Sequence, residues 1–183
     1  LDKTTNLRQQ IFNYEYAKWV ESMLFSPKWW ILLIIVLSFW ITWWKLVDKN
    51  RLAEIGAGLF LTMTLSTVLN SIGIELTLWR YPDQLFGSIR FINVLDLTLI
   101  PITYMFLYQF FGKWKSYLLA ITLFALIGSF VGQPIFSYFN LYELINWEYI
   151  YSFPIYLFIG IIIKFLLGII MGIQNRNKAL KSE

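Results

Sequence analysis

Apolar runs of about 20 residues recur along the chain, and charged residues gather in the gaps between them. The runs fall at about Trp29–Val47, Leu52–Thr77, Ile89–Phe111, Trp114–Tyr138 and Phe153–Ile173. At 1.5 Å per residue, about 20 helical residues cross roughly 30 Å of hydrocarbon. The pattern therefore predicts five transmembrane helices. The gaps at Asp48–Arg51 and Gly112–Lys113 are very short, so the helices they join must be antiparallel neighbours.

A sixth periodic segment precedes the first run. Leu7, Ile11, Phe12, Tyr16, Trp19, Val20, Met23 and Leu24 recur at helical spacing, and Pro27 closes the segment. Arg8, Glu15, Lys18 and Glu21 fall largely off that face. The spacing predicts an amphipathic helix lying in the membrane interface; the alternative is a helix packed on the bundle or on a partner. The expected fold class is an all-α integral membrane protein, a five-helix transmembrane bundle with an N-terminal amphipathic helix. Its parts are an interfacial segment at 1–28, the transmembrane domain at 29–175 and a basic tail at 176–183.

Composition agrees with the pattern. Of 183 residues, 58% are hydrophobic and 20% aromatic, too many for a soluble domain of this length to bury. The net charge of +4 suits orientation and contact with anionic lipid better than nucleic-acid binding. The absence of Cys and His removes disulfides, thiolate–zinc sites, thiol nucleophiles and the commonest general base. No metal or cofactor is expected. No signal peptide is evident, because the first run is too long for one.

Lysine and arginine at the run ends set the orientation. With the N-terminus outside, the cytoplasm receives Lys45, Lys49, Arg51, Lys113, Lys115, Arg176, Lys178 and Lys181. Lys3, Arg8, Lys18, Lys28, Arg80 and Arg90 then lie outside, and the Asn140–Tyr151 gap carries Glu143 and Glu148 but no basic residue. The expectation is N-out, C-in, in a cell membrane.

Polar residues inside the runs are costly and need a partner or a purpose. The second run carries Gly58, Thr62, Ser66 and Asn70 at four-residue steps, then Gly73. The fourth carries Gly128, Gly132 and Gln133; the fifth carries Gly160, Lys164, Gly168 and Gly172. The glycines are read as helix-packing positions. Counted from the run midpoints, Asn70, Asp96 and Gln133 lie roughly 7–10 Å to one side of the membrane centre, and Lys164 near it. Lys164 could reach Asp96, so the two are a candidate ion pair, either a lock between helices or part of a working site. Pro101, Pro134 and Pro154 each remove a donor and free a carbonyl one turn earlier. Together these predict a kinked polar pocket on the side of loops two and four, lined by Asn70, Asp96, Gln133 and Lys164. Trp79, Tyr81, Tyr142 and Trp147 crowd that side, as an interfacial belt or as a lid over the pocket.

Four stretches, KLVDKNRLAEI, IPITYMFLYQFFGKWKSY, VGQPIF and YSFPIYLFIG, together resemble a family of small multi-pass membrane proteins of spore-forming Bacillota. The resemblance covers roughly the five runs. It implies a helical membrane fold in a bacterial plasma membrane and brings no activity or catalytic residue.

The leading expectation is a non-enzymatic membrane protein, a transport component or small-ligand sensor. An energy-coupling substrate-binding subunit has similar size, but its Ala-xxx-Ala pattern is absent from the first run. The alternative is a structural or accessory subunit with a membrane-protein partner or a second copy. A lipid-processing enzyme fits worse, because paired acidic motifs are absent. A retinal-type pigment fits worse still: Lys164 and Asp96 mimic a Schiff base and counter-ion, but five spans are too few.

Overall fold

A computed structural model describes residues 2–87 and 93–180 of the chain. The described residues form six helices and one short strand pair. Helix α1 is Lys3–Lys18, closing in a π turn at Trp19–Met23. Helix α2 is Pro27–Leu46, capped by Ser26, whose hydroxyl accepts from the Trp29 amide with proline at the first turn. Helix α3 is Lys49–Glu75. Helix α4 begins as a π turn at Leu95–Leu99 and continues as Ile100–Phe110. Helix α5 is Trp114–Tyr138, interrupted by a π turn at Gly128–Gly132, and α6 is Tyr149–Leu180. Strands β1 (Trp79–Arg80) and β2 (Glu143–Leu144) pair antiparallel, Trp79 opposite Leu144 and Arg80 opposite Glu143.

Helices α2, α3, α5 and α6 are long and apolar enough to cross a membrane. The described part of α4 is shorter, and the predicted start of that run at Ile89 lies outside the described residues, as do Leu1, Arg90 and Lys181. Across the Gly112–Lys113 gap α4 and α5 pack on each other as predicted, whereas across the Asp48–Arg51 gap α2 packs on α4 rather than on α3. The Asp48–Arg51 gap is tied at its start to Gln109 of α4, which accepts from the Asp48 amide and donates to the Leu46 carbonyl.

Helix α3 packs on α4 and α6, and α5 packs on the same two. The four close a ring, with α2 outside it against α4. At the end bearing loops one and three the ring is solid. Ile55, Leu59, Ile102, Met105, Ile121, Ile163 and Leu167 fill it. Gly58 and Gly160 permit the close approach: a Cβ on Gly58 would stand 2.6 Å from Met105 Sδ, and one on Gly160 2.9 Å from the Tyr104 ring. Two tyrosines rivet α4 and α5 to α6. Tyr104 donates to the Tyr156 carbonyl, and Tyr117 to the Gly160 carbonyl at 2.8 Å.

Gly168 and Gly172 do not share that role. Both are exposed, and a Cβ at either would meet nothing within 4 Å. Each four-residue step turns a helical row by about 40°, so a row that faces the bundle at Gly160 has rotated by about 120° at Gly172. The other predicted packing glycines sit more loosely than Gly160. A Cβ on Gly128 would come 3.3 Å from the Tyr156 ring, and one on Gly132 would touch its own helix at 3.6 Å.

Helix α1 forms where the spacing places it, without a single apolar face. At 100° per residue Leu7 and Ile11 fall on one side and Phe12, Tyr16 and Trp19 on another, with Arg8 and Glu15 between. Leu7, Ile11, Phe12 and Tyr16 are all exposed. Its C-terminal end is the anchor: Met23 is buried, and the Trp19 indole donates to the Gln84 carbonyl at 2.9 Å. Residues of α1 from Gln10 to Met23 thereby roof a cleft over Trp79–Gln84 and Asn140.

Candidate functional site: a cavity under an aromatic roof

At the end bearing loops two and four the same ring is hollow. Two π turns explain why. A π turn holds one residue more than an α turn and widens the helix locally. Both precede a proline, Pro101 on α4 and Pro134 on α5, whose missing amide cannot close the normal ladder. In α4 the Ile100 amide bonds back to the Leu95 carbonyl, and the next amide would be that of Pro101. The Asp96 carbonyl is left over, and Ser66 of α3 donates its hydroxyl to it at 3.1 Å. The freed carbonyl predicted from the proline is thus satisfied by a side chain of the polar stripe on α3.

Between these turns lies a cavity of about 420 Å³. Leu69, Leu99, Ile100, Phe124, Phe136 and Ile155 supply much of its apolar wall. Asn70 from α3, Asp96 from α4 and Gln133 from α5 also line it, so the three residues predicted to share a depth do share a site. Ser152 and Tyr156 on α6 add to the polar set, as do Ser66 on α3 and Thr103 on α4. Gln133 Nε2 donates to Ser152 Oγ at 2.9 Å and to Tyr156 Oη at 3.0 Å. Asn70 Oδ1 accepts from the Trp79 indole at 2.8 Å and from the Tyr81 hydroxyl at 2.9 Å.

Among the described residues, three polar atoms at this cavity have no hydrogen-bond partner: Asn70 Nδ2, Asp96 Oδ2 and Gln133 Oε1. Asn70 and Asp96 are only 6% and 5% exposed. Native interiors leave few such groups, and each costs about 1–3 kcal/mol.

The loops close the cavity from above. Both α3 and α5 end in a cap whose next residue is left-handed, Thr77 at φ 56° and Asn140 at φ 59°. Leu78 then bonds back to Gly73 and Leu141 to Phe136, satisfying the last carbonyls. The two loops leave at similar angles and pair as β1 and β2. Trp79, Tyr142 and Trp147 form the roof, with Trp79 and Trp147 edge to face at 5.2 Å and the rings of Tyr81 and Tyr142 tilted at 5.4 Å. The Trp79 indole lies directly on Gly73, where a Cβ would stand 2.0 Å from the ring. Of the two readings of these aromatics, the geometry is that of a lid. Burial pushes the Tyr81 and Tyr142 phenols well above their usual range, with the Asp96 carboxyl a smaller cause in both. Both remain neutral hydrogen-bonding groups at ordinary pH.

Lys164 is not part of this site. Its ammonium turns to the opposite end and donates to the carbonyls of Phe111 and Gly112, at 2.9 and 2.8 Å. The Tyr117 ring lies 4.2 Å away, with Trp114 and Tyr108 beyond it. The predicted Asp96–Lys164 pair therefore does not form. The last carbonyls of a helix lack intrahelical partners and carry the negative end of its dipole. Phe111 caps α4 and Gly112 follows it in the turn, so Lys164 is held by two carbonyls at the negative end of that dipole. Beside it the Arg51–Glu54 pair at 2.8 Å receives the Tyr108 hydroxyl, so this end holds its charges in a satisfied network.

Ser152, Tyr156 and the lid's bonds to Asn70 are absent from the sequence-based site. A signal existed for Tyr156 and Tyr104: a tyrosine well inside an apolar run needs a partner for its hydroxyl.

The fold and cavity define a helical protein with four membrane-length helices and an apolar chamber bearing a few polar atoms. No family model, curated protein or solved structure matches the chain.

Proposed function

We propose that this chain is a five-span membrane protein that binds a small, largely apolar molecule in the chamber, as a non-enzymatic transport component or ligand sensor. The observation that carries the reading is the convergence of three unpartnered polar atoms, from three helices, on one apolar cavity. Ligand pockets are mostly apolar, with a few placed polar groups, and 420 Å³ suits a small molecule. The location is a bacterial plasma membrane, N-terminus outside, with α1 lying on the membrane surface over the lid.

Native mass spectrometry of the protein released from lipid nanodiscs tests this. A retained small molecule whose signal falls on Gln133→Leu is expected; a chain that carries none from any host lipid extract would sink the reading. Topology has its own test. Glu148→Cys should be labelled from outside intact cells and Asn50→Cys should not; the reverse pattern would invert the orientation.

A second reading has one observation in its favour. The chain leaves the Gly168 and Gly172 face uncovered, so a partner helix or a second copy could pack there, as in an accessory subunit. Disulfide cross-linking between copies carrying Gly172→Cys would show it.

A further inference from the structure

We infer that the chamber takes an organic cation, a molecule with an apolar body and a protonated amine, with Asp96 as its counter-charge. This rests on the ligand-binding reading above and names the chemical class. Asp96 is the acidic residue lining the chamber, and the described lining contains no Lys or Arg. Among the described residues, four cations of the bundle and its loops are committed elsewhere. Lys164 is held by the Phe111 and Gly112 carbonyls, Arg51 by Glu54, Arg80 by Glu143 and Lys28 by Asp83. Asp96 Oδ2 is unpartnered and the residue is nearly fully buried. A carboxylate in such a place gains most from a partner that brings a positive charge and N–H donors together.

The rest of the chamber fits the same class. Gln133 Oε1 is a second free acceptor, suited to another N–H of the same ammonium. Trp79, Tyr81, Tyr142, Trp147 and Tyr156 line the same chamber, and aromatic ring faces attract cations. An anionic ligand would meet Asp96 with no compensating cation. A neutral one would leave the carboxyl as it is.

The test uses the full chain in detergent and three probes of one shape: 2-(1-naphthyl)ethylamine, 2-(1-naphthyl)ethanol and 3-(1-naphthyl)propanoate. Binding is read by isothermal calorimetry and by the shift in helix melting. The amine should bind at least roughly tenfold more tightly than the alcohol, and the carboxylate weakest, because a hydrogen bond between charged groups is the stronger one. In Asp96→Asn the amine should lose that advantage over the alcohol. Equal binding of amine and alcohol to the unmodified protein, or an amine preference that survives Asp96→Asn, overturns the cation assignment and leaves the chamber as a neutral-ligand site. Binding of none of the three overturns the chamber reading itself. The comparison on the unmodified protein decides the matter even if the variant does not fold.

Discussion

The two ends of one helical ring are built differently. At the end of loops one and three, the ring core is regular α-helix and filled with side chains, and its polar groups are paired: Tyr117 with Gly160, Lys164 with two carbonyls, Arg51 with Glu54. The Trp43 indole is the exception there among the described residues. At the other end the helices bulge into π turns, the core is a cavity, and Asn70, Asp96 and Gln133 each keep a free atom. The same four helices supply both ends. What separates them is glycine and tyrosine packing on one side and proline with short polar side chains on the other. One end holds the fold, and the other gives up stability to keep a polar chamber.

That contrast can be broken most sharply at Gly160. Gly160→Leu should cost about 3 kcal/mol or more, or prevent folding, because the new side chain meets Tyr104 and Ile121. Gly168→Leu should change the unfolding midpoint in detergent very little. Similar losses for both would mean that the solid end is not tightly packed.

The charges give the next largest difference. Lys164→Met should cost about 1.5–3 kcal/mol by leaving the Phe111 and Gly112 carbonyls without their donor. Asp96→Asn should be close to neutral, since no partner is stranded. The double variant should equal the sum of the singles in denaturant titrations, because the two groups sit at opposite ends of the ring. Rescue of one by the other would restore the ion pair that the geometry denies.

The lid sharpens the comparison from the hollow side. Asn70→Leu should cost about 1–2 kcal/mol through its bonds to Trp79 and Tyr81. Hydrogen exchange at residues 79–84 and 143–147 should accelerate, while the solid end keeps its protection. Uniform acceleration would show that the two ends unfold as one unit.

The smallest effect is at Thr77, a β-branched residue in a left-handed cap. Thr77→Gly should raise stability by about 1 kcal/mol, measured as a higher melting midpoint. No gain would mean that the cap is relaxed by its bond from Asn146.

Much of this was legible from local pattern. Run length gives α2, α3, α5 and α6, because the length of an apolar helix is set by the solvent it must cross. The common depth of Asn70, Asp96 and Gln133 is also local arithmetic, since helical rise is constant. The partner of Lys164 was not legible. A flexible four-carbon stem reaches either way along the helix, and the choice fell to the carbonyls at the end of α4, a neighbour known only once the ring closes. The glycine row failed for a related reason: four-residue spacing marks a face only over a turn or two, and the bundle decides which part of it is covered. The prolines announced freed carbonyls, but only the packing of α3 on α4 supplied Ser66 to satisfy one. The sequence by itself determined which groups had to be inside and how deep. The tertiary structure alone decided which of them found partners, because partnership depends on the direction a neighbouring helix faces.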